Sequence, residues 1–247
     1  MRLNPAIRCQ VRDYAIAHSV FLGVHLILLL VFAILASTLR ETEFFYSGYA
    51  TSCFGYLFVF GIIMPRQVVR LCAQFGVSRR TAFLSLFPAA ALSILFLSVA
   101  GEVFRGLGCL VTDFSATPMV VTDLYAQLYL DGLTRFSLGQ HSLSVLFHVV
   151  WMLCLFAAGL FLTFLFWRLR KTGCIIAALS LAAVLLGIPS LAAFTPTLFA
   201  PVASLLARAA TSPWWAIALA LALTVLFSLV GWLLIRRTNI RGGMLSK

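Results

Sequence analysis

Six long apolar runs constrain this chain more than any other feature of its sequence. They are Tyr14–Ser37, Phe45–Met64, Thr81–Val99, Leu143–Trp167, Gly173–Phe194 and Trp214–Ile235. A run of about 20 apolar residues is long enough to cross the hydrocarbon core of a bilayer as a helix. The sequence therefore predicts an all-α membrane protein with six transmembrane helices, in which residues 1–247 form a single membrane domain.

The composition agrees with lipid as the solvent of these runs. Apolar residues make up 62% of the chain and charged residues 10%, whereas soluble domains contain about 45–50% and about 25%. The six cysteines include no C-x-x-C pair, so the sequence predicts no bound metal and no redox centre.

The basic residues predict the orientation of the spans. Most of the 18 lysines and arginines fall in four segments that a six-span model places on one side of the membrane: Arg2, Arg8 and Arg12; Arg66, Arg70, Arg79 and Arg80; Arg168, Arg170 and Lys171; Arg236, Arg237, Arg241 and Lys247. Lys and Arg accumulate in cytoplasmic loops. We therefore expect both termini in the cytoplasm of a multi-pass protein of the cell membrane, bacterial inner or plasma membrane. This also accounts for the net charge of +11 without a nucleic-acid partner.

Three further segments predict shorter helices. Met1–Asp13 carries an apolar stripe and predicts an N-terminal interfacial helix on the cytoplasmic leaflet. The outer connection Ala100–Gln140 contains a weakly amphipathic stretch that predicts a surface helix. Pro201–Ala210 is apolar but too short to span, and it predicts a short outer helix before span 6.

The connection Pro65–Thr81, with the sequence PRQVVRLCAQFGVSRRT, predicts a short amphipathic helix between spans 2 and 3. Its predicted apolar face holds Val68, Leu71, Cys72 and Phe75, and its polar stripe holds Gln67, Arg70 and Gln74. Pro65 suits the first turn of a helix, Gly76 suits a C-terminal cap, and Ser78 suits the cap of the next helix. Periodicity alone equally allows a basic loop that rests on lipid headgroups.

Residues Gln74–Ser85 read QFGVSRRTAFLS, which resembles a signature of permease subunits of ATP-binding cassette exporters of the second type. Residues Trp232–Arg241 read WLLIRRTNIR, which is similar to the C-terminus of such permeases. The resemblance implies that the connecting helix is a coupling helix that docks on a cytoplasmic ATPase subunit. It also implies a second permease copy or a related permease as partner, with membrane lipid around both.

Carried onto this chain, the resemblance assigns the docking role to Arg66, Gln67, Arg70, Gln74, Phe75, Gly76, Ser78, Arg79 and Arg80. The arginines and glutamines at 66, 67, 70 and 74 would face polar groups of the ATPase, and Phe75 would fill an apolar notch. Arg79 and Arg80 are equally compatible with a role as leaflet anchors.

The chain carries no motif for hydrolysing a nucleotide. Its two lysines, Lys171 and Lys247, do not follow a glycine, so there is no phosphate-binding G-x-x-x-x-G-K-[ST] loop. The protein is therefore not expected to be an enzyme, and ATP and Mg are expected in the partner ATPase.

The leading expectation is a permease subunit that exports a hydrophobic or amphipathic substrate, such as a peptide, lipid or drug; import remains open. One alternative is a membrane scaffold or immunity protein that does not transport. A secondary carrier is disfavoured because no Asp or Glu lies inside a predicted span. His25 and His148 are candidates for the substrate pathway, although a histidine in a span is more often a hydrogen-bonding partner for helix packing.

Overall fold

The computed structural model of the chain describes residues 3–38, 44–46, 48–114, 119–130, 136–169 and 196–236. Five helices in these ranges are long and apolar enough to cross a membrane: Gln10–Leu35, Gly48–Gln74, Arg79–Val111, Leu138–Arg168 and Pro213–Arg236. They match five of the six predicted spans, and the protein is a multi-pass helical membrane protein. The remaining predicted span, Gly173–Phe194, lies outside the described residues.

The long helices are α1 (Leu3–Thr38), α2 (Gly48–Gln74), α3 (Arg79–Phe114), α5 (Leu138–Arg168) and α7 (Pro213–Arg236). Two shorter helices are α4 (Leu124–Tyr129) and α6 (Pro196–Thr211). Two three-residue strands, β1 (Phe44–Tyr46) and β2 (Met119–Val121), pair in parallel, with Phe44 opposite Met119. The expected surface helix of the 100–140 connection corresponds to α4, and the expected helix before the last span corresponds to α6.

Helix α5 is the centre of the bundle. It packs on α2, on α7 and on α3, while α1 packs mainly against α3. Small residues allow α2 and α5 to approach closely, because a Cβ added at Gly61 or Gly159 would overlap the backbone of the facing helix. Such small residues are typical of helix contacts in membranes, where apolar side chains gain little from leaving lipid.

The predicted interfacial helix Met1–Asp13 is not separate from the first span. Helix α1 runs without interruption from Leu3 to Thr38. Its N-terminal part packs on α3, where the Gln10 side-chain amide donates to Ser85 Oγ at 2.9 Å and both residues are buried. The prediction of a separate helix was wrong, because Ile7 and Val11 of the apolar stripe pack against the core of the bundle.

The short helix predicted between spans 2 and 3 is likewise not a separate element. Helix α2 continues through Pro65 to Gln74. Pro65 lacks the N–H that would bond the Gly61 carbonyl, but Thr163 Oγ1 of α5 lies 3.4 Å from that carbonyl and donates to the Ile62 carbonyl at 2.7 Å. Hydroxyls of neighbouring helices are one way in which proline is tolerated within membrane helices.

Helix α3 extends to Phe114, well past the predicted end at Val99. Glu102 therefore lies within a membrane-type helix, Arg79–Val111, which corrects the expectation that no acidic residue does. Glu102 and Arg105 pair on one face of this helix. These two charged residues lower the local hydropathy, so the predicted span ended before them, but the helix continues to Phe114.

Charged residues divide between the two ends of the bundle. One end, here called the basic end, holds Arg12, Arg66, Arg70, Arg79, Arg80, Arg168 and Arg236, with Asp13 beside Arg12. Contacts between helices hold this end together, since the Arg70 guanidinium lies 5.9 Å from the Trp167 ring and Arg79 Nη1 donates to the Arg236 carbonyl at 3.2 Å. The opposite end holds Glu102 and Asp123, together with Arg105 and Arg208. The segregation follows the pattern expected of a membrane protein with one basic face.

Candidate functional site

The turn that joins α2 to α3 lies at the basic end, and its geometry confirms two sequence predictions. Gly76 adopts a positive φ of 68°. The Val77 N–H donates to the Cys72 carbonyl at 2.8 Å and the Gly76 N–H to the Ala73 carbonyl at 3.2 Å, which is the Schellman pattern of helix ends. Ser78 Oγ then accepts the Thr81 N–H at 3.1 Å and caps α3. The turn therefore holds the ends of both helices by specific backbone bonds.

The last two turns of α2 bury a different face from the predicted one. Pro65, Val68, Val69 and Cys72 point into the bundle, whereas Leu71 is 45% and Phe75 is 70% exposed. The predicted face shared only Val68 and Cys72 with the observed one. Periodicity identified an amphipathic helix, but the position of α5 decided which stripe faces inward.

The outward face of this segment combines two apolar side chains with polar and basic ones. We call Arg66, Gln67, Arg70, Leu71, Gln74 and Phe75 the docking surface; all six are exposed. The exposed Phe75 beside the exposed Leu71 one helical turn away forms an apolar patch with a polar rim. Such patches are typical of protein–protein contacts.

The other predicted docking residues have structural contacts of their own. Gly76 and Ser78 form the turn, and Arg79 reaches the C-terminal carbonyl of α7. A cation at a helix C-terminus stabilises the carbonyls left without partners there. Arg80 is exposed and lines the gap between α3 and α7. The nine predicted residues thus lie together, but they divide into an exposed surface, a turn, an anchor to α7 and Arg80 at the gap.

His25 and His148 are both buried in the bundle, at 5% and 6% exposure. Each ring is bonded to a carbonyl of its own helix, His25 Nδ1 to Phe21 at 3.0 Å and His148 Nδ1 to Ser144 at 2.8 Å. Because a carbonyl only accepts, Nδ1 carries the proton in both rings. His148 lines a cavity of about 20 Å³, and His25 packs against Tyr49, which lines the same cavity.

Charged and polar side chains form a cluster at that cavity, and Glu102, Arg105, Asp123 and His148 line it. This cluster was not among the features predicted from the sequence. We call Glu102, Arg105, Asp123, His141, Ser144 and His148 the polar cluster. Ser144 Oγ lies 2.6 Å from Glu102 Oε1 and 2.8 Å from Asp123 Oδ2. His141 Nδ1 lies 2.7 Å from Glu102 Oε2. A hydroxyl donates one proton, so Ser144 donates to one of the two carboxyl groups at a time.

The polar cluster joins three parts of the fold. Arg105, only 3% exposed, contacts Glu102 and lies 3.4 Å from the centre of the Phe136 ring. Asp123 Oδ1 accepts the Ala126 N–H at 2.7 Å and so caps α4. The cluster therefore connects α3, α5 and the segment that contains β2 and α4.

Two tyrosines of α4 pack into the fold beside the Asp123 cap. Burial raises the pKa of Tyr125, and the neighbouring Asp123 carboxylate raises it further. Burial also raises the pKa of Tyr129, whose hydroxyl donates to the Ala209 carbonyl of α6 at 2.6 Å. Helix α4 is therefore hydrogen-bonded to α6, and both tyrosine rings pack on Phe147 of α5.

The spacing of the cluster residues carried a signal that could have revealed it. Glu102 and Arg105 are three residues apart, and His141, Ser144 and His148 follow the spacing of one face of a helix. On hydropathy alone, residues 100–140 form a loop between spans 3 and 4. The cluster becomes apparent only once α3 is known to continue to Phe114 and α5 to begin at Leu138. Within the described ranges, no group of His, Cys, Asp and Glu is arranged to hold a metal ion.

The position of Glu102 along α3 bears on its role. It follows Arg79 of the basic end by about 23 residues, or roughly 34 Å of helix. A bilayer hydrocarbon core is about 30 Å thick. Glu102 therefore lies near the opposite surface of the membrane, away from the midplane where carriers place their coupling ions.

The helices and the two charged ends define a multi-pass membrane protein with a basic face and an opposite face that carries the polar cluster. No family model, curated protein or solved structure matches this chain. Its function is therefore inferred from its own residues and from the resemblance of Gln74–Ser85.

Proposed function

We propose that this chain is the permease subunit of an ATP-driven transporter of the ATP-binding cassette class, and that the basic end faces the cytoplasm. The docking surface carries the proposal. Leu71 and Phe75 leave an apolar patch exposed at an end of the bundle that is rich in arginine. A separate cytoplasmic ATPase, holding ATP and Mg, is the partner whose groove would cover this patch.

The continuity of α2 supports a mechanical role for the docking surface. Because α2 runs unbroken from Gly48 to Gln74, a force on Phe75 acts on a whole membrane helix rather than on a hinged lever. The turn at Gly76 passes the same displacement to α3. Closure of two ATPases would then rock α2 and α3 as rigid bodies, in the manner of other hinged and sliding transitions.

The proposed substrate class rests on the apolar character of the membrane helices. Large apolar residues dominate the exposed surface of α1, α3 and α7, where lipid contact alone would also require them. We propose that a hydrophobic or amphipathic molecule, such as a peptide, lipid or drug, is exported. A second copy of the chain or a related permease would complete the pathway.

The test is co-purification of the tagged chain with an ATPase from its native membrane. The double variant Arg70→Glu, Phe75→Ala reverses one charge and removes the exposed ring, and we expect it to lower recovery of the ATPase at least ten-fold. Arg168→Glu changes the charge of an exposed arginine on α5 at the same end and serves as the matched control. Recovery of an equal amount of ATPase with the double variant would show that docking occurs elsewhere.

A scaffold or immunity protein would use the same docking surface without transport. Its partner would lack a nucleotide-binding loop, and reconstituted vesicles would show no ATP-dependent movement of substrate. The identity of the co-purified protein and a transport assay with ATP therefore distinguish the two functions.

A secondary carrier is the second candidate, and the polar cluster is where it would bind its coupling proton. Glu102 and Asp123 share one hydroxyl, and His148 lines the adjoining cavity. The place of this cluster away from the midplane makes the carrier the weaker candidate. A carrier would lose transport in Glu102→Gln and would respond to a proton gradient. The permease would respond to ATP and would retain its coupling in that variant.

A further inference from the structure

Helices α3 and α7 touch only lightly and leave an apolar groove between them at the basic end. Its volume is about 660 Å³. The wall from α3 includes Phe83 and Phe87, and the wall from α7 includes Val225, Leu229 and Trp232. The groove follows α7 over about two helical turns, or roughly 12 Å.

The walls of the groove offer no polar group that requires a protein partner. Thr224 Oγ1 donates to the Ala220 carbonyl at 2.7 Å, and Ser228 Oγ donates to the Thr224 carbonyl at 2.6 Å. Both hydroxyls are therefore satisfied within α7. A lining of aromatic rings, aliphatic side chains and satisfied hydroxyls suits a hydrocarbon chain.

The mouth of the groove is positively charged. Arg80 lines it and is exposed, and Arg79 and Arg236 are joined beside it through a hydrogen bond to the backbone. In the part of the chain that the structure describes, the ion pairs involve Glu102 at the other end of the bundle. Within the described residues none of the three guanidinium groups forms an ion pair, and an anion is the complementary ligand.

We propose that the groove binds one anionic phospholipid. The phosphate pairs with Arg80 at the mouth, and an acyl chain lies along Phe87 and Leu229. The exposed faces of Leu84, Val225 and Leu229 open the groove towards lipid, and the apolar wall and the basic mouth match the two ends of such a molecule. Trp232 adds an aromatic ring at the level where headgroups meet tails.

The experiment measures lipid bound to the purified full chain, without any partner protein, by native mass spectrometry. The probes are phosphatidylglycerol and phosphatidylcholine with identical acyl chains, added in equal amounts. We expect the wild type to retain phosphatidylglycerol preferentially. Arg80→Gln should reduce that preference roughly five-fold, the factor associated with one basic side chain near an anionic lipid surface.

Two further variants separate this site from general effects. Leu229→Trp places a bulky ring in the groove at an exposed position, and it should reduce retention of both lipids. Arg12→Gln removes an exposed charge of α1 at the same end and should leave the preference unchanged. The proposal is overturned if Arg80→Gln and Arg12→Gln act alike, or if Leu229→Trp retains lipid as the wild type does.

A protein segment is the competing occupant of the groove. If a cysteine at Leu229 formed disulfides in high yield with a cysteine placed within residues 173–194, that segment would fill the groove and the lipid site would be excluded. Failure of ATPase docking would not affect any of these measurements, so the two proposals can fail separately.

Discussion

At the scale of single residues, Gly76 has the most specific local requirement at the basic end. Its φ of 68° lies in the left-handed region, where a Cβ meets the following carbonyl oxygen. A Cβ at this position would meet no other atom within 4 Å. The requirement for glycine is therefore one of backbone conformation and not of space.

Gly76→Ala should accordingly destabilise the protein by about 1–2 kcal/mol, measured as thermal unfolding in detergent. Gly55→Ala is the matched control, because Gly55 lies within α2 and a Cβ there also has open space. We expect Gly55→Ala to be neutral or stabilising by up to about 1 kcal/mol. Equal stability of Gly76→Ala and the wild type would mean that the turn does not constrain α2 and α3.

The sequence correctly predicted the roles of Gly76 and Ser78, but it did not predict which face of α2 is exposed just before them. Gly76 and Ser78 act through bonds to neighbours in the chain, so their roles are readable locally. Leu71 and Phe75 depend on the direction from which α5 approaches α2, and no residue within Pro65–Thr81 encodes that direction.

At the scale of elements, Pro65 and Thr163 together explain how α2 stays continuous to the docking surface. The proline removes a donor from the Gly61 carbonyl. The Thr163 hydroxyl of α5 lies 3.4 Å from that carbonyl, 2.7 Å from the Ile62 carbonyl and 3.1 Å from the Gly159 carbonyl of its own helix. Because the hydroxyl donates one proton, these three carbonyls share it. Sequence patterns locate such a proline but not the side chain that accommodates it.

Thr163→Val keeps the shape of the side chain and removes this hydroxyl. We expect a loss of about 0.6–1.7 kcal/mol of stability, the range for hydrogen bonds between membrane helices, while Thr163→Ser should stay near the wild type. In a Pro65→Ala background the N–H of residue 65 can donate to the Gly61 carbonyl. The loss of stability caused by Thr163→Val should then be smaller. An identical cost in both backgrounds would show that the two residues are not coupled.

At the scale of the whole molecule, the contrast between its ends predicts its orientation. The basic end carries the docking surface, and the N-terminus of α5 at the opposite end carries Leu138, which is 89% exposed. The excess of arginine on one face is the property that orients membrane proteins.

Labelling of single introduced cysteines in intact cells with a membrane-impermeant maleimide tests this orientation. Leu138→Cys should react from outside the cell, whereas Phe75→Cys should react only after the membrane is opened. Labelling of the chain without an introduced cysteine gives the background from its native cysteines. Of these, Cys53, Cys72 and Cys154 are buried. Reaction of Phe75→Cys from outside would place the docking surface on the wrong side for a cytoplasmic ATPase.

The sequence by itself determined the helical membrane class, the positions of the five spans that the structure describes, and the turn at Gly76. These features depend on hydropathy, charge and backbone preference, which act over one or two helical turns. Tertiary structure decided which face of α2 is buried, how far α3 extends, and that Glu102, Asp123, Ser144 and His148 meet. Those outcomes depend on the directions in which separate helices approach one another, and that information is distributed over residues far apart in the chain.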